Sequence, residues 1–239
     1  MRPLATGVLV MNDRSRQIAA MRFLAALGIA TPILDVVVSA TLAALDPNYS
    51  HLRNFLSELG EEGRPYAAAF NVWCVIYGLM FAGFAIALGR ALQSWSVAAA
   101  LLAIAILSAA SGAFPCDPEC KGTTWTAKVH MAIGHFGVPA MVLAPFVCWR
   151  VMRERPEWRS YGAFSFGVGV LMAVAAAWLA AGFYTGQHAW WCPMGLAQRT
   201  LLGIQYVWLV VVAVRLLASI GREELKDSDQ KSAVPAECL

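Results

Sequence analysis

The sequence predicts an all-α fold, a polytopic membrane bundle of six transmembrane helices with both termini cytoplasmic. Three observations carry that reading. Apolar residues make up 59% of the 239-residue chain and charged residues only 14%, a balance too apolar for a soluble globule. Six stretches reach the roughly 20 apolar residues that a helix rising about 1.5 Å per residue needs to cross a hydrocarbon core of about 30 Å. Thirteen of the eighteen Lys and Arg side chains fall in segments on the side of the amino terminus, which places that side in the cytoplasm.

The first stretch runs from Phe23 to Leu45, behind Arg14, Arg16 and Arg22. Pro32 and Asp35 interrupt its apolar character ahead of "VSA", Val38 to Ala40, so it reads as a retained helix rather than a cleaved signal peptide. Tyr66 to Leu88, Trp95 to Phe114, Val129 to Val151, Phe164 to Tyr184 and Leu196 to Leu217 follow. Lipid offers the backbone no hydrogen bonds, and alternating strand patterns are absent, so each stretch is expected to be helical. Trp95, Trp125, Trp149, Trp158, Trp190 and Trp191 fall near expected helix ends, where an amphipathic ring prefers to sit.

The resulting organisation is a cytoplasmic tail over residues 1–22, the six-helix body over 23–217 and a second cytoplasmic tail over 218–239. Cys238 is second from the end rather than fourth, so "AECL" is no prenylation box and the tail is expected to be bare. The net charge of +3 reports topology, because no basic stripe interleaves with stacking aromatics. Nucleic acid is therefore not an expected partner; membrane lipids are. No repeat links the first three helices to the last three, so inverted-repeat transporter architecture has no support.

Chemistry gathers in the three outer links, Asp46 to Pro65, Pro115 to Lys128 and Thr185 to Gln198. All four histidines, His51, His130, His135 and His188, map to that half. His130 and His135 are five apart, which turns them about 140° from one another on an ideal helix and removes the shared face of a helical zinc pair. Asp117, in "FPCDPEC", either orients one of them or merely closes its own turn. Cys116, Cys120 and Cys192 can supply one disulfide and leave one thiol over, and the sequence does not choose the pair. A zinc ion on cysteine and histidine is the alternative, neither required nor excluded by a C-x3-C spacing.

In the first outer link Leu52, Phe55, Leu56 and Leu59 recur at helical spacing, which predicts a short amphipathic helix stopped by "ELGEEG". His51, Arg53, Ser57 and Glu58 lie on its other faces. Arg53 and Glu58, five apart, are too far round to pair. Asp35 lies about ten residues, or about 15 Å, from the outer end of its helix, at a depth where a lone carboxylate faces the bundle interior. Asn71, Gln205 and Tyr206 enter from the same side as its expected neighbours. Together they predict a polar shaft with Asp35 at the floor and histidines at the rim.

The phrases "YSHLRNFLSELG" with "GRPYAAAFNVW", and "SGAFPCDPECK" with "TAKVHMAIGH", resemble the bacterial family called domain of unknown function 998. The resemblance spans nearly all of the helical region and implies a six-helix membrane body in the bacterial cytoplasmic (inner) membrane. Two function classes follow. One is a lipid- or amphiphile-modifying enzyme of hydrolase or transferase type, with His130 or His135 as general base, Asp117 orienting it or sharing a metal, and Glu58 as acid. Arg53, His51, Ser57, Asp35, Asn71 and Gln205 would then bind the substrate. The other is a non-catalytic sensor, assembly factor or small-molecule carrier using the same residues to bind.

Overall fold

The computed structural model describes residues 13–185 and 191–232. Its long elements are six helices: α1 (Asp13–Leu45), α2 (Ala67–Ala91), α3 (Trp95–Ala113), α4 (Trp125–Met152), α5 (Arg159–Thr185) and α6 (Met194–Ser232). All six are long and apolar enough to cross a membrane, and no strand occurs among the described residues. Large apolar side chains such as Phe23, Val36, Leu79, Ile106, Val174 and Val207 stand exposed around the bundle, as hydrocarbon solvent permits.

The helices are longer than the apolar runs. Helix α1 begins ahead of Phe23 and α6 continues past Leu217 to Ser232, through segments expected to be tails. Once a helix exists, each added residue gains a backbone bond for little further entropy, and the Arg, Ala, Glu and Lys residues there are good helix formers. Ser94 starts α3 by accepting from the Val97 amide, and Thr124 starts α4 by accepting from the Ala127 amide at 3.2 Å.

Each helix packs against its neighbours in sequence, and α1 closes against α6, so the six form a ring. The α2–α3 seam is the tightest part. A Cβ on Gly78 would stand 2.6 Å from the Ala105 carbonyl, and one on Gly112 would stand 2.2 Å from that of Asn71. Small residues here let backbones approach where lipid gives no hydrophobic drive between helices. At one end, the arginine end, the Arg155 guanidinium donates to the Leu92 carbonyl. Arg215 donates to the Glu157 carbonyl at 2.8 Å and lies 4.7 Å over the Trp158 ring. At the other, the histidine end, residues 46–66 meet both the start of α6 and residues 114–124: the Leu196 amide donates to the Leu52 carbonyl and the Glu62 amide to the Cys116 carbonyl.

Candidate functional site

Residues 46–66 are organised by buried charge rather than by an amphipathic helix. The expected helix is replaced by a 3-10 turn over Leu56–Gly60, and Leu52 stands exposed outside it. The reason lies in Glu58. Its carboxylate accepts from the Phe55 amide at 2.7 Å and the Asn54 side chain at 2.5 Å, which pulls the chain into a tight turn. Burial pushes the Glu58 carboxyl above its ordinary value, against the lowering effect of those two bonds. Arg64 reaches Asp46 at 3.0 Å and Glu61 at 2.6 Å, fastening the two ends of the segment.

Arg199, at the start of α6, anchors the same segment from the other side. It donates to the carbonyls of His51, Asn54 and Gly195 at 2.9, 3.0 and 3.1 Å, and to the Tyr49 hydroxyl. Gln198 accepts from the Leu56 amide at 2.6 Å. Arg53, expected to place a headgroup, is exposed, and His51 lies at the surface with its ring edge-on to Tyr49. Desolvation, then the Arg199 charge, lowers the His51 pKa. Asn71, expected beside Asp35, instead donates to the Gly60 carbonyl at 3.0 Å.

The 114–124 segment follows the same logic. Cys116 and Cys120 form a disulfide, leaving Cys192 buried and free. Asp117 closes its own loop: its two oxygens accept from the amides of Gly122 at 2.9 Å, Thr123 at 2.7 Å and Thr124 at 3.2 Å, and from the Thr123 hydroxyl. The Thr123 hydroxyl foremost, with the backbone amides, holds the Asp117 carboxyl well below the usual carboxylate range. The expected pairing of Asp117 with a histidine is therefore not made. His130 Nδ1 meets the Phe114 carbonyl at 2.8 Å and His135 Nδ1 the Met131 carbonyl at 2.7 Å. A carbonyl only accepts, so both rings carry a proton on Nδ1.

Inside the ring lies a recess of about 480 Å³, bounded by all six helices and the Leu56–Gly60 turn. Asp35, Ser57, His130, His135 and Gln205 line it, together with Tyr77 and Tyr206. The rest of its wall is mostly apolar, with Leu107, Ile133, Val138, Met141 and Leu179 among the contributors. Exposed Gly134, Pro139 and Tyr184 also border it, so it is open rather than sealed. At its floor Asp35 accepts from the Trp73 indole at 2.7 Å and from the Tyr206 hydroxyl. Gln205 is 1% exposed and its Nε2 has no protein partner.

The structure thus brings Asp35, Ser57, His130, His135 and Gln205 to one hollow, with Cys120 at its edge. It leaves Asp117, Glu58, His51, Arg53, Asn71, Cys116 and Cys192 outside the lining. His188 lies outside the described residues. Sequence reasoning missed Trp73 and Arg199 as partners; an indole nearly two turns into α2, at a depth to meet the lone Asp35, was the available signal. Among the described residues, Glu61, Cys116 and Cys120 hold ligand atoms within 4.8 Å of one another, and the disulfide occupies both sulfurs.

A family model described as protein of unknown function (DUF998) matches residues 29–215, from within α1 to within α6. No curated protein and no solved structure matches the chain.

Proposed function

The chain belongs to the DUF998 family, and we propose that its membrane body binds an amphiphilic molecule in the recess, as a small-molecule carrier or sensor does. The carrying observation is the recess itself: an apolar wall inside the ring, with a few polar groups gathered at Asp35, Gln205 and Tyr206. That is the arrangement that holds an apolar body and fixes its polar end. The excess of basic side chains at the arginine end supports a recess directed away from the cytosol, in the cytoplasmic membrane of a bacterium.

The test uses a glycine of α4. A Cβ on Gly134 or Gly137 would meet nothing within 4 Å, although both residues line the recess. Gly137→Phe should therefore fill the hollow without disturbing helix packing. Mass spectrometry of detergent-purified protein is expected to find an amphiphile retained by the wild type and missing from Gly137→Phe. The same bound molecules in both would sink the reading.

A second reading, hydrolase- or transferase-type chemistry on that amphiphile, has one observation in its favour. His130 and His135 both border the recess, each with Nδ1 engaged by a backbone carbonyl, which leaves Nε2 as the nitrogen for proton transfer. Against it, Asp117 and Glu58 spend their oxygens on loop closure. Turnover of the retained molecule by the wild type and not by the His130→Ala, His135→Ala double variant would favour catalysis; an unchanged molecule in both would leave binding alone.

A further inference from the structure

We propose that the recess selects a lipophilic amine, with its ammonium group at Asp35 and its chain along the apolar wall. This rests on the reading of the recess as an amphiphile site and names the charge of the head. The charge inventory of the lining points to it. Among the described residues, no Lys or Arg side chain lines the recess, and Asp35 is the one carboxylate that does. Both donors to that carboxylate, the Trp73 indole and the Tyr206 hydroxyl, are neutral, so it has hydrogen bonds but no cation in contact. Arg199, which stands at the same end, has its donors turned to the Tyr49, His51, Asn54 and Gly195 oxygens.

A carboxylate at membrane depth without a cationic partner is costly, and a bound cation removes that cost. The neighbouring chemistry favours the same sign. The Phe70, Tyr77 and Phe183 rings belong to the wall, and aromatic rings attract cations. An anionic head would meet a carboxylate and, among the described residues, no basic side chain. A neutral head would leave the carboxylate with neutral partners alone. The Gln205 amide nitrogen, buried and without a partner, suits an oxygen carried next to the amine.

The test compares dodecylamine, dodecanol and dodecanoate at equal concentration on the full chain in maltoside micelles, read as binding affinity and as the shift in Tm. The amine is expected to bind at least about tenfold more tightly than either of the others, a difference near 1.4 kcal/mol. Asp35→Asn keeps an acceptor for Trp73 and should bring the amine level with the alcohol. Should that variant fail to fold, the ranking of heads on the wild type decides alone. Alcohol or acid binding as tightly as the amine, and abolished by Gly137→Phe, overturns the amine and leaves the recess standing. No binding by any of the three, or binding indifferent to Gly137→Phe, overturns both.

Discussion

The lip and the floor of the bundle use polar side chains in opposite ways. At the lip, Asp46, Glu58, Arg64, Asp117 and Arg199 satisfy one another and the backbone, so a segment rich in charge becomes a rigid rim with little left over. At the floor, polar residues are sparse, yet Gln205 has an unused donor and Asp35 has only neutral partners. Density of polar residues in the sequence therefore marks architecture here, and scarcity marks the recess. The physical reason is solvent. Loop carbonyls and amides near the interface must all be closed off, whereas a lone carboxylate in hydrocarbon survives only where something beyond its own helix answers it.

Three substitutions sharpen or break that contrast. The largest effect is expected at the floor: Asp35→Leu leaves the Trp73 indole and the Tyr206 hydroxyl without an acceptor, costing on the order of 3 kcal/mol, read as a lowered Tm in detergent. A Tm equal to that of the wild type would mean those donors find other partners. Next comes Arg199→Ala, which frees the carbonyls of His51 and Asn54 and should cost about 2 kcal/mol, with faster proteolysis within residues 46–54. Cleavage at the wild-type rate would show that Arg64, Gln198 and the backbone bonds hold the rim without Arg199.

The smallest effect concerns Asp117 and pH. Its folded pKa lies below the unfolded one, so the unfolded chain binds the extra proton first. The stabilisation is therefore complete above the ordinary carboxylate range and is lost progressively as pH falls from that range toward the lower folded value. Asp117→Asn is expected to speed the reduction of Cys116–Cys120 by a phosphine at neutral pH, as acid is expected to do in the wild type, measured by labelling of the released thiols. Equal reduction rates for the two proteins at every pH would remove Asp117 from the control of that loop.

Much of this was legible in the residues, for reasons that differ between helix and loop. Apolar runs located all six helices because membrane thickness sets their length, and depth along α1 singled out Asp35 and its contact with Tyr206. The positions of His130 and His135 on the recess followed from their place near the start of α4. The rim was harder. Leu52, Phe55, Leu56 and Leu59 have helical spacing, but Glu58 draws the backbone into a 3-10 turn through bonds that periodicity does not carry. Asp117 satisfied equally the roles of orienting group and turn closer, and only the register of residues 122–124 decided between them. Arg199 counted as one more interfacial charge until its four partners were brought together by the fold.

Closure of the ring between its first and last members has a consequence for biogenesis. While the chain is being inserted, Asp35 enters the membrane ahead of every partner; Trp73 reaches it with the second span, and Tyr206 comes 171 residues after it. Until α6 arrives the nascent protein holds a half-satisfied acid in an open arc, so the last helix closes the ring and completes the partners of that acid together.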